Sequence, residues 1–320
     1  MTIKHLVISG GGPTGILTYG VASYLAKKDF WKITDIESIY GCSIGGYVGV
    51  VMSLGYEWEW LDDYFIKRPW EKLFASSAIK FTEINDKKCF INEHFQQETL
   101  LPLLKAKDLD ETITLKEFYE YSKIDIHLFA TNINTPKLEK IDISHITHPD
   151  LSLLTALQMS AAFPIIFQPI IQGDECYIDG GLLNNFPLND CINQQQCNPD
   201  EILAFKNIWK NDNKRVDESS SIFDFVLIIM KKMQQSLDTE ANQCEVKHIV
   251  RCLTDDLSSF DKWADTINDE ETRRNIVENG YKQGELFLSS ISDIKSEKEE
   301  TSEKEETPEK EETPEKEETI

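Results

Sequence analysis

Short apolar runs alternate with longer segments of helical periodicity along most of the chain. The runs are about four to eight residues long, as in buried strands, and the segments between them carry apolar residues three and four positions apart. The pattern predicts strands at 3–8, 36–41, 124–131, 138–143, 175–178, 201–206 and 245–251. It predicts helices at 15–28, 44–55, 150–161, 219–239 and 269–290. Such alternation is typical of an α/β three-layer sandwich, in which helices cover both faces of a central, mostly parallel sheet.

The last part of the chain departs from this pattern. Residues 297–320 consist of four copies of Glu-Lys-Glu-Glu-Thr, each followed by one further residue, with no apolar side chain before Ile320. Such a segment has nothing to bury in a core, and Pro308 and Pro314 interrupt any helix that it could form. The sequence therefore predicts a folded domain over 1–292 and a disordered, acidic, low-complexity tail over 293–320. A solubilising role is favoured over recruitment of a partner, which the sequence does not identify.

The charge balance narrows the classes of partner. The formal net charge is −23, and the twelve glutamates and four lysines of the tail account for −8 of it. The rest of the chain remains acidic, so nucleic acid is not expected as a partner, because binding to phosphates requires basic surface. Strong attraction to anionic lipid is not expected either, unless the charge is segregated.

The sequence predicts neither a membrane span nor secretion. The longest apolar run, 222–230, has nine residues and includes Asp224, so it is too short to cross a bilayer. It fits a helix packed on the sheet better than one that lies on lipid. No signal peptide precedes the first strand, and the seven cysteines are scattered without a C-x-x-C pair. These features predict an intracellular, cytoplasmic protein with free thiols that is at most peripheral to membranes.

Ser43 stands in the most informative motif of the chain. The sequence G-C-S-I-G at 41–45 follows a predicted strand and opens a predicted helix. This is the G-x-S-x-G pattern of a nucleophile elbow, in which a sharp turn exposes the serine. Gly41 and Gly45 relieve the crowding that arises where backbone approaches backbone in such a turn. The N–H groups at the start of the helix can stabilise negative charge near Ser43.

A glycine-rich loop follows the first predicted strand. It consists of Gly10, Gly11, Gly12, Pro13, Thr14 and Gly15. Its G-x-G-x-x-G spacing fits a dinucleotide loop, but no acidic residue ends a second strand at the expected distance, and the Gly-Lys-Ser/Thr of a P-loop is missing. The alternative is an oxyanion hole, in which successive N–H groups, mainly those of Gly11 and Gly12, form a concave donor site.

Asp-Gly-Gly at 179–181 is the third motif. Asp179 follows a short predicted strand, and Gly180 and Gly181 lead into L-L-N-N-F-P. Alone, such a triplet indicates only a turn. Taken together, the three motifs resemble those of the patatin-like phospholipase family. They occur in the same order: the glycine-rich loop, G-x-S-x-G and then D-G-G. The segments A-T-N at 130–132 and S-A-A-F-P at 160–164 are also similar to that family, and the resemblance covers roughly residues 1–190.

The resemblance implies a patatin-like fold and a Ser–Asp dyad. Ser43 is then the nucleophile, Asp179 the general base, and the glycine-rich loop the oxyanion hole. A carboxylate can accept the serine proton if it lies within hydrogen-bond reach and if desolvation raises its pKa. Many members of the family carry Lys or Arg where this chain has Thr14, which puts cationic assistance at the hole in doubt.

A Ser–acid–His triad is the alternative to the dyad. Its histidine follows the acid in the α/β-hydrolase order, and His248 is the one histidine after Asp179. His248 lies within a predicted strand, whereas a triad histidine is expected on a loop. No histidine has the spacing of a metal ligand with acidic or thiol partners, so the sequence predicts neither a metal nor a cofactor.

The resemblance also implies the function. A patatin-like chain is expected to be a serine acyl hydrolase that cleaves fatty-acyl esters of phospholipids, lysophospholipids or related lipids at a membrane or micelle surface. An acyltransferase with the same dyad, and a non-catalytic lipid-binding or regulatory protein, are the alternatives. The aromatic segment 56–123 either caps the site and contacts the acyl chain or belongs to the core.

Overall fold

The computed structural model describes residues 2–209, 215–237, 246–254 and 260–305. Its strands are β1 (His5–Ile8), β2 (Ser38–Cys42), β3 (Cys89–Ile91), β4 (Asp125–Asn132), β5 (Glu139–Ile143), β6 (Ile165–Phe167), β7 (Ile170–Gln172), β8 (Glu175–Asp179), β9 (Ile202–Ile208) and β10 (His248–Leu253). Its helices are α1 (Thr14–Lys27), α2 (Ile44–Ser53), α3 (Trp58–Lys67), α4 (Trp70–Ser77), α5 (Ile84–Lys87), α6 (His94–Lys105), α7 (Leu115–Ser122), α8 (Leu153–Ser160), α9 (Gly181–Asn184), α10 (Leu188–Gln195), α11 (Ile222–Leu237), α12 (Phe260–Asn268) and α13 (Glu270–Glu305).

The central sheet is parallel over five strands. Its order begins β10-β9-β1-β2-β4, and each neighbouring pair in that series runs parallel. The remaining strands are antiparallel, since β5 and β8 both pair with β4 and β7 pairs with β8. A separate two-stranded sheet joins β3 to β6. The predicted α/β architecture with a mostly parallel sheet is confirmed.

Alternate residues of the sheet face two different helical layers. In β1, Leu6 and Ile8 belong to the larger core, which also contains buried residues of α1, α2 and α13. Val7, between them, belongs to a smaller core with Leu188 and Cys191 of α10. Successive side chains of a strand point to opposite faces, so this division places the sheet between two layers of helices.

The strands β2 and β8 approach each other end to end along one edge of β4. The register pairs Cys42 of β2 with Phe129, in parallel, and Asp179 of β8 with Ala130, in antiparallel orientation. Because β5 pairs with both Phe129 and Ala130, it occupies the opposite edge of β4. The C-terminal ends of β2 and β8 therefore meet, and the residues that follow Cys42 lie beside Asp179.

Several features differ from the sequence-based prediction. The aromatic segment 56–123, in which the sequence predicts no helices or strands, forms five α-helices and β3. Of the two alternatives given for its aromatic residues, Phe65 and Trp70 belong to the larger core and also line the cavity beside Ser43. The last helix was predicted to end near residue 290 but continues to Glu305. Its extension consists largely of Glu, Lys and Ser, and the first two of these are good helix formers. Residues 306–320 of the predicted disordered tail lie outside the described residues, and their disorder stays a prediction.

Candidate active site

Ser43 occupies the junction between β2 and α2. Its backbone angles are φ 53° and ψ −126°, a conformation that residues with side chains rarely adopt and that costs about 1–3 kcal/mol. A β-carbon on Gly45 would lie 2.4 Å from the carbonyl oxygen of Ile8, and one on Gly41 would lie 2.5 Å from the Cα of Gly46. Both glycines are therefore required by close backbone contacts, as the elbow motif predicts.

Asp179 lies directly beside Ser43. The Ser43 hydroxyl donates to Oδ2 of Asp179 over 2.6 Å. The other carboxylate oxygen, Oδ1, accepts the Gly181 N–H at 2.7 Å and faces the Cys42 thiol at 3.9 Å. Burial raises the pKa of Asp179 to about 6, and the hydrogen bonds that it accepts oppose this rise. The arrangement permits direct proton transfer from Ser43 to Asp179.

Two asparagines, Asn185 and Asn207, form hydrogen bonds with the backbone of the glycine-rich loop at Gly10. The Gly10 N–H donates to the carbonyl oxygen of Asn185 at 3.1 Å, and the Gly10 carbonyl accepts the Nδ2 of Asn207 at 3.0 Å. Asn207 is buried in β9, and its Nδ2 also donates to Oγ1 of Thr14 at 2.8 Å. These contacts fix both ends of the turn, so that Gly10 supports the loop and its N–H is already engaged.

Two N–H groups of the loop remain available. Pro13 has no N–H, and those of Thr14 and Gly15 donate back to the carbonyls of Gly11 and Gly12. Within the described part of the chain, no protein acceptor takes the N–H groups of Gly11 and Gly12. These are the donors that the sequence favours for an oxyanion hole, and that role stays a prediction.

Substitution of Gly12 should test the loop. Its φ is +60°, and an added β-carbon would lie 2.6 Å from Cη2 of Trp263 in α12. We expect Gly12→Ala to reduce kcat by about 10²–10³ with little change in KM, because the donor acts mainly in the transition state.

Gly55→Ala is the matched control for Gly12→Ala. Gly55 has a similar φ, +64°, and open space around the added β-carbon. Steady-state kinetics and thermal melting of both variants separate backbone strain from a lost donor. Equal losses of Tm with unchanged kcat in both variants would contradict the oxyanion role.

The end of α8 holds both members of the Ser–Asp pair. The Ser160 hydroxyl accepts the Ser43 N–H at 3.0 Å, and the Ser160 carbonyl accepts the Gly180 N–H at 3.4 Å. The carbonyl of Ala162 accepts the Asp179 N–H at 3.0 Å. Ser160 is fully buried, so its hydroxyl has no access to water as a substitute partner.

Ser160→Ala should impair turnover without weakening substrate binding. The lost hydrogen bond leaves the Ser43 N–H unsatisfied, at a cost of about 1–2 kcal/mol, and we expect kcat to fall about 5- to 30-fold at constant KM. Ser77→Ala is the control, because Ser77 is equally buried and its hydroxyl has no hydrogen-bond partner among the described residues. A parallel loss of Tm and unchanged kcat in both variants would leave Ser160 with a structural role only.

Ser43 opens into a cavity of about 280 Å³. Its apolar walls are formed by Pro13, Ile16, Ile44, Phe65, Trp70, Phe74, Phe95, Ile166, Phe163, Phe167 and Trp263. Tyr47 also lines it, and its hydroxyl lies 2.7 Å from that of Tyr64. The Tyr64 hydroxyl in turn donates to a backbone carbonyl, so both phenols are satisfied. The volume is near the lower end of the range for small-molecule sites and fits a single apolar chain.

Arg273 lines the cavity and donates four hydrogen bonds to backbone carbonyls. Its guanidinium donates to the carbonyls of Ile66 and Arg68 at the end of α3 and to those of Thr266 and Ile267 near the end of α12. A cation at helix C-termini stabilises the helix dipoles. Arg273 therefore ties α3, α12 and α13 together around the cavity, and four of its five N–H groups serve this structural role.

Two histidines of the central sheet, His248 and His127, make their contacts away from the Ser43–Asp179 pair. His248 is at the start of β10, three strands from β2 and therefore roughly 14 Å across the sheet, and its ring packs edge-on against Phe30. His127 lies between Asp125 and Asp142, with its ring nitrogens 3.1 and 2.8 Å from their oxygens. Burial alone would lower the pKa of His127, but these hydrogen bonds outweigh it and raise the pKa to about 9. His127 is a charged structural residue.

Comparison with known proteins identifies the family. The model for the patatin-like phospholipase family matches residues 6–192, more than half of the chain. The chain belongs to the patatin-like phospholipase family.

Two viral proteins are similar to this patatin-like chain. It is 30% identical over 192 residues to a probable lipid hydrolase, 463L, of Invertebrate iridescent virus 6, over 59% of this chain and 63% of that protein. It is 20% identical over 265 residues to the uncharacterized protein R571 of Acanthamoeba polyphaga mimivirus, over 81% of this chain and 86% of that protein. The chain thus spans less than two thirds of the length of the viral lipid hydrolase.

A solved structure shares the fold. The crystal structure of VipD from Legionella pneumophila aligns with a TM-score of 0.51 at 17% identity, over 91% of this chain and 67% of VipD. At this level of identity the similarity concerns the fold alone.

The family resemblance leaves some residues of the site unaccounted for. Thr14, at a position that is often cationic in the family, is fully buried and bonded to Asn207. Its side chain supports the loop and does not line the cavity. Sequence reasoning did not find roles for Asn207, Ser160 or Trp263. Only Ser160 lies in a segment that resembles the family, and nothing local signals that its hydroxyl reaches Ser43.

Within the described residues, no three His, Cys, Asp or Glu side chains are grouped so that they could hold a metal ion. In the same part of the chain, no helix is both long and apolar enough to cross a membrane.

Proposed function

We propose that this patatin-like protein is a serine acyl hydrolase that cleaves fatty-acyl esters of phospholipids, lysophospholipids or related lipids. The observation that carries the proposal is the 2.6 Å hydrogen bond from Ser43 to Asp179 at one end of an apolar cavity. The cavity suits an acyl chain, and the family and the viral lipid hydrolase support the same class of reaction.

The mechanism begins with attack of Ser43 Oγ on the ester carbonyl. Asp179 accepts the hydroxyl proton as the new C–O bond forms, and negative charge develops on the carbonyl oxygen. The N–H groups of Gly11 and Gly12 and the N-terminus of α2 stabilise that oxyanion. Asp179 then returns the proton to the departing alcohol, which leaves an acyl ester on Ser43.

Deacylation repeats the cycle with water. Asp179 removes a proton from the attacking water molecule, and the same donors stabilise the second tetrahedral intermediate. The bond to Ser43 Oγ then breaks, the fatty acid leaves, and Asp179 returns the proton to Ser43. The Cys42 thiol stays protonated in this cycle, because burial raises its pKa well above the ordinary value. It can therefore act only as a weak hydrogen-bond donor to Asp179, beside the Gly181 N–H.

The pH dependence of turnover should report the ionisation of Asp179. The general base must be deprotonated, and its pKa is raised to about 6 by burial. We expect kcat/KM for a neutral, soluble ester to be level above pH 7 and to fall about tenfold per pH unit well below pH 6. Rates measured from pH 4.5 to 9 check this, with circular dichroism to confirm folding. A flat profile between pH 5 and 8 would contradict the assignment.

A direct assay distinguishes the candidate activities. Purified full-length protein and Ser43→Ala are incubated with short-chain nitrophenyl esters, labelled phosphatidylcholine and labelled lysophosphatidylcholine. Release of fatty acid by the wild type alone supports hydrolysis. Transfer of the label to added glycerol or lysolipid in preference to water would make the protein an acyltransferase. No turnover of any ester by folded wild type would leave a non-catalytic lipid-binding role.

A further inference from the structure

The outward face of α11 is apolar. Ile222, Phe225, Ile229 and Met233 are 57, 47, 38 and 40% exposed. Their spacing of three, four and four residues places them within an arc of about 80° on the helix. A surface helix normally turns its polar face to water and its apolar face to the core. The exposed face of α11 has the opposite character, so it is suited to contact with an apolar surface.

A second exposed aromatic residue lies near α11. Phe81 is 88% exposed, and it follows Ile79, whose N–H donates to the carbonyl of Phe90 in β3. The ring of Phe90 packs against Phe223 of α11 at 4.9 Å. Phe81 and α11 therefore flank the same strand. We call Phe81, Ile222, Phe225, Ile229 and Met233 the apolar patch.

The apolar patch borders the candidate active site. The helix α11 packs against β6, whose Ile166 and Phe167 line the cavity. It also packs against α9, which begins two residues after Asp179. A surface that docks the patch is thus placed next to the elements that form the acyl cavity and position the base.

The charge around the apolar patch is balanced, unlike that of the chain as a whole. The segments 79–88 and 215–233 contain six basic and five acidic residues, whereas the formal net charge of the chain is −23. The basic residues are Lys80, Lys87, Lys88, Arg215, Lys231 and Lys232. Lysine stems can lie along an apolar surface while their ammonium groups stay in water. A nearly neutral apolar face is compatible with a phospholipid surface, whereas a strongly acidic face is repelled where that surface contains anionic lipids.

We propose that the apolar patch is a docking surface for a phospholipid bilayer. The helix α11 lies in the plane of the headgroups, with Phe225, Ile229 and Phe81 inserted among the acyl chains. This docking rests on the proposed function for its purpose, since it brings lipid esters to the cavity beside Ser43. The physical attachment to lipid does not require that Ser43 be catalytic.

Vesicle binding and soluble-ester hydrolysis together test the proposal. Full-length protein is sedimented with phosphatidylcholine vesicles, and the double variant Phe225→Glu/Ile229→Glu is compared with Ile146→Glu/Leu286→Glu. The control pair lies outside the patch, and its residues are 68 and 69% exposed. We expect the patch variant to lose at least tenfold in vesicle partitioning and in hydrolysis of vesicle lipid, with nitrophenyl ester turnover within twofold of wild type. The control pair should behave as wild type.

Each outcome decides the proposal. The docking proposal is overturned if the patch variant binds vesicles as well as wild type does. It is also overturned if wild type hydrolyses soluble esters but does not bind vesicles. Wild type that binds vesicles through the patch yet hydrolyses no ester would support docking and refute the proposed function. A dimer that the patch variant dissociates, without any change in vesicle binding, would assign the patch to a second copy. Phe81→Glu, outside α11, gives the same test should the double variant fail to fold.

Discussion

Asp179→Asn should reduce kcat by about 10²–10⁴, the usual contribution of a general base. Asparagine keeps the shape of the side chain and can accept the Gly181 N–H, but its amide cannot take the proton of Ser43. The Ser43 hydroxyl then lacks its only carboxylate partner among the described residues. Single-turnover kinetics on a soluble ester, with thermal melting as a check of folding, measure the effect on the chemical step.

His248→Gln is the control for this result. His248 lies on β10, three strands from β2, and packs against Phe30, so its replacement should change kcat by no more than a few-fold. A loss in His248→Gln as large as that in Asp179→Asn, with both proteins folded, would replace the dyad by a triad.

Ser43→Ala should abolish turnover almost completely, by as much as about 10⁶ in kcat, the scale on which a serine nucleophile is lost in other hydrolases. Alanine fills the same strained elbow position, so the fold should be retained. Because the two residues act as one unit, Ser43→Ala/Asp179→Asn should be no slower than Ser43→Ala alone. Ester hydrolysis and fluorophosphonate labelling check both variants. A double variant with additive losses would show that Asp179 acts independently of Ser43.

The sequence predicts those parts of the site that depend on local backbone geometry. The elbow at Ser43 and the turn after Asp179 carry short motifs, because glycine is needed where backbone approaches backbone. The motifs do not reveal how the two turns meet. That contact depends on β8 running antiparallel along the same edge of β4 as β2, although β2 and β8 themselves lie more than a hundred residues apart in the chain.

Tertiary contacts also explain the elements that the sequence did not predict. The strands β3, β6 and β7 have three residues each, which is too few to show an alternating pattern. The supporting role of Asn207 depends on the neighbouring strand β1 and the loop that follows it. The exposed apolar face of α11 has the same periodicity as a buried one, so only its exposure in the folded structure distinguishes the two.

In the proposed mechanism Ser43 carries the acyl group during turnover, and trapping of that intermediate tests it most directly. Wild-type protein is mixed with labelled phosphatidylcholine, quenched in acid within the first turnovers, digested and analysed by peptide mass spectrometry, with Ser43→Ala treated in parallel. We expect a fatty-acyl ester on Ser43 in the wild type and no acylated peptide in the variant. Acylation of the neighbouring Cys42, or release of fatty acid at an undiminished rate by Ser43→Ala, would contradict it.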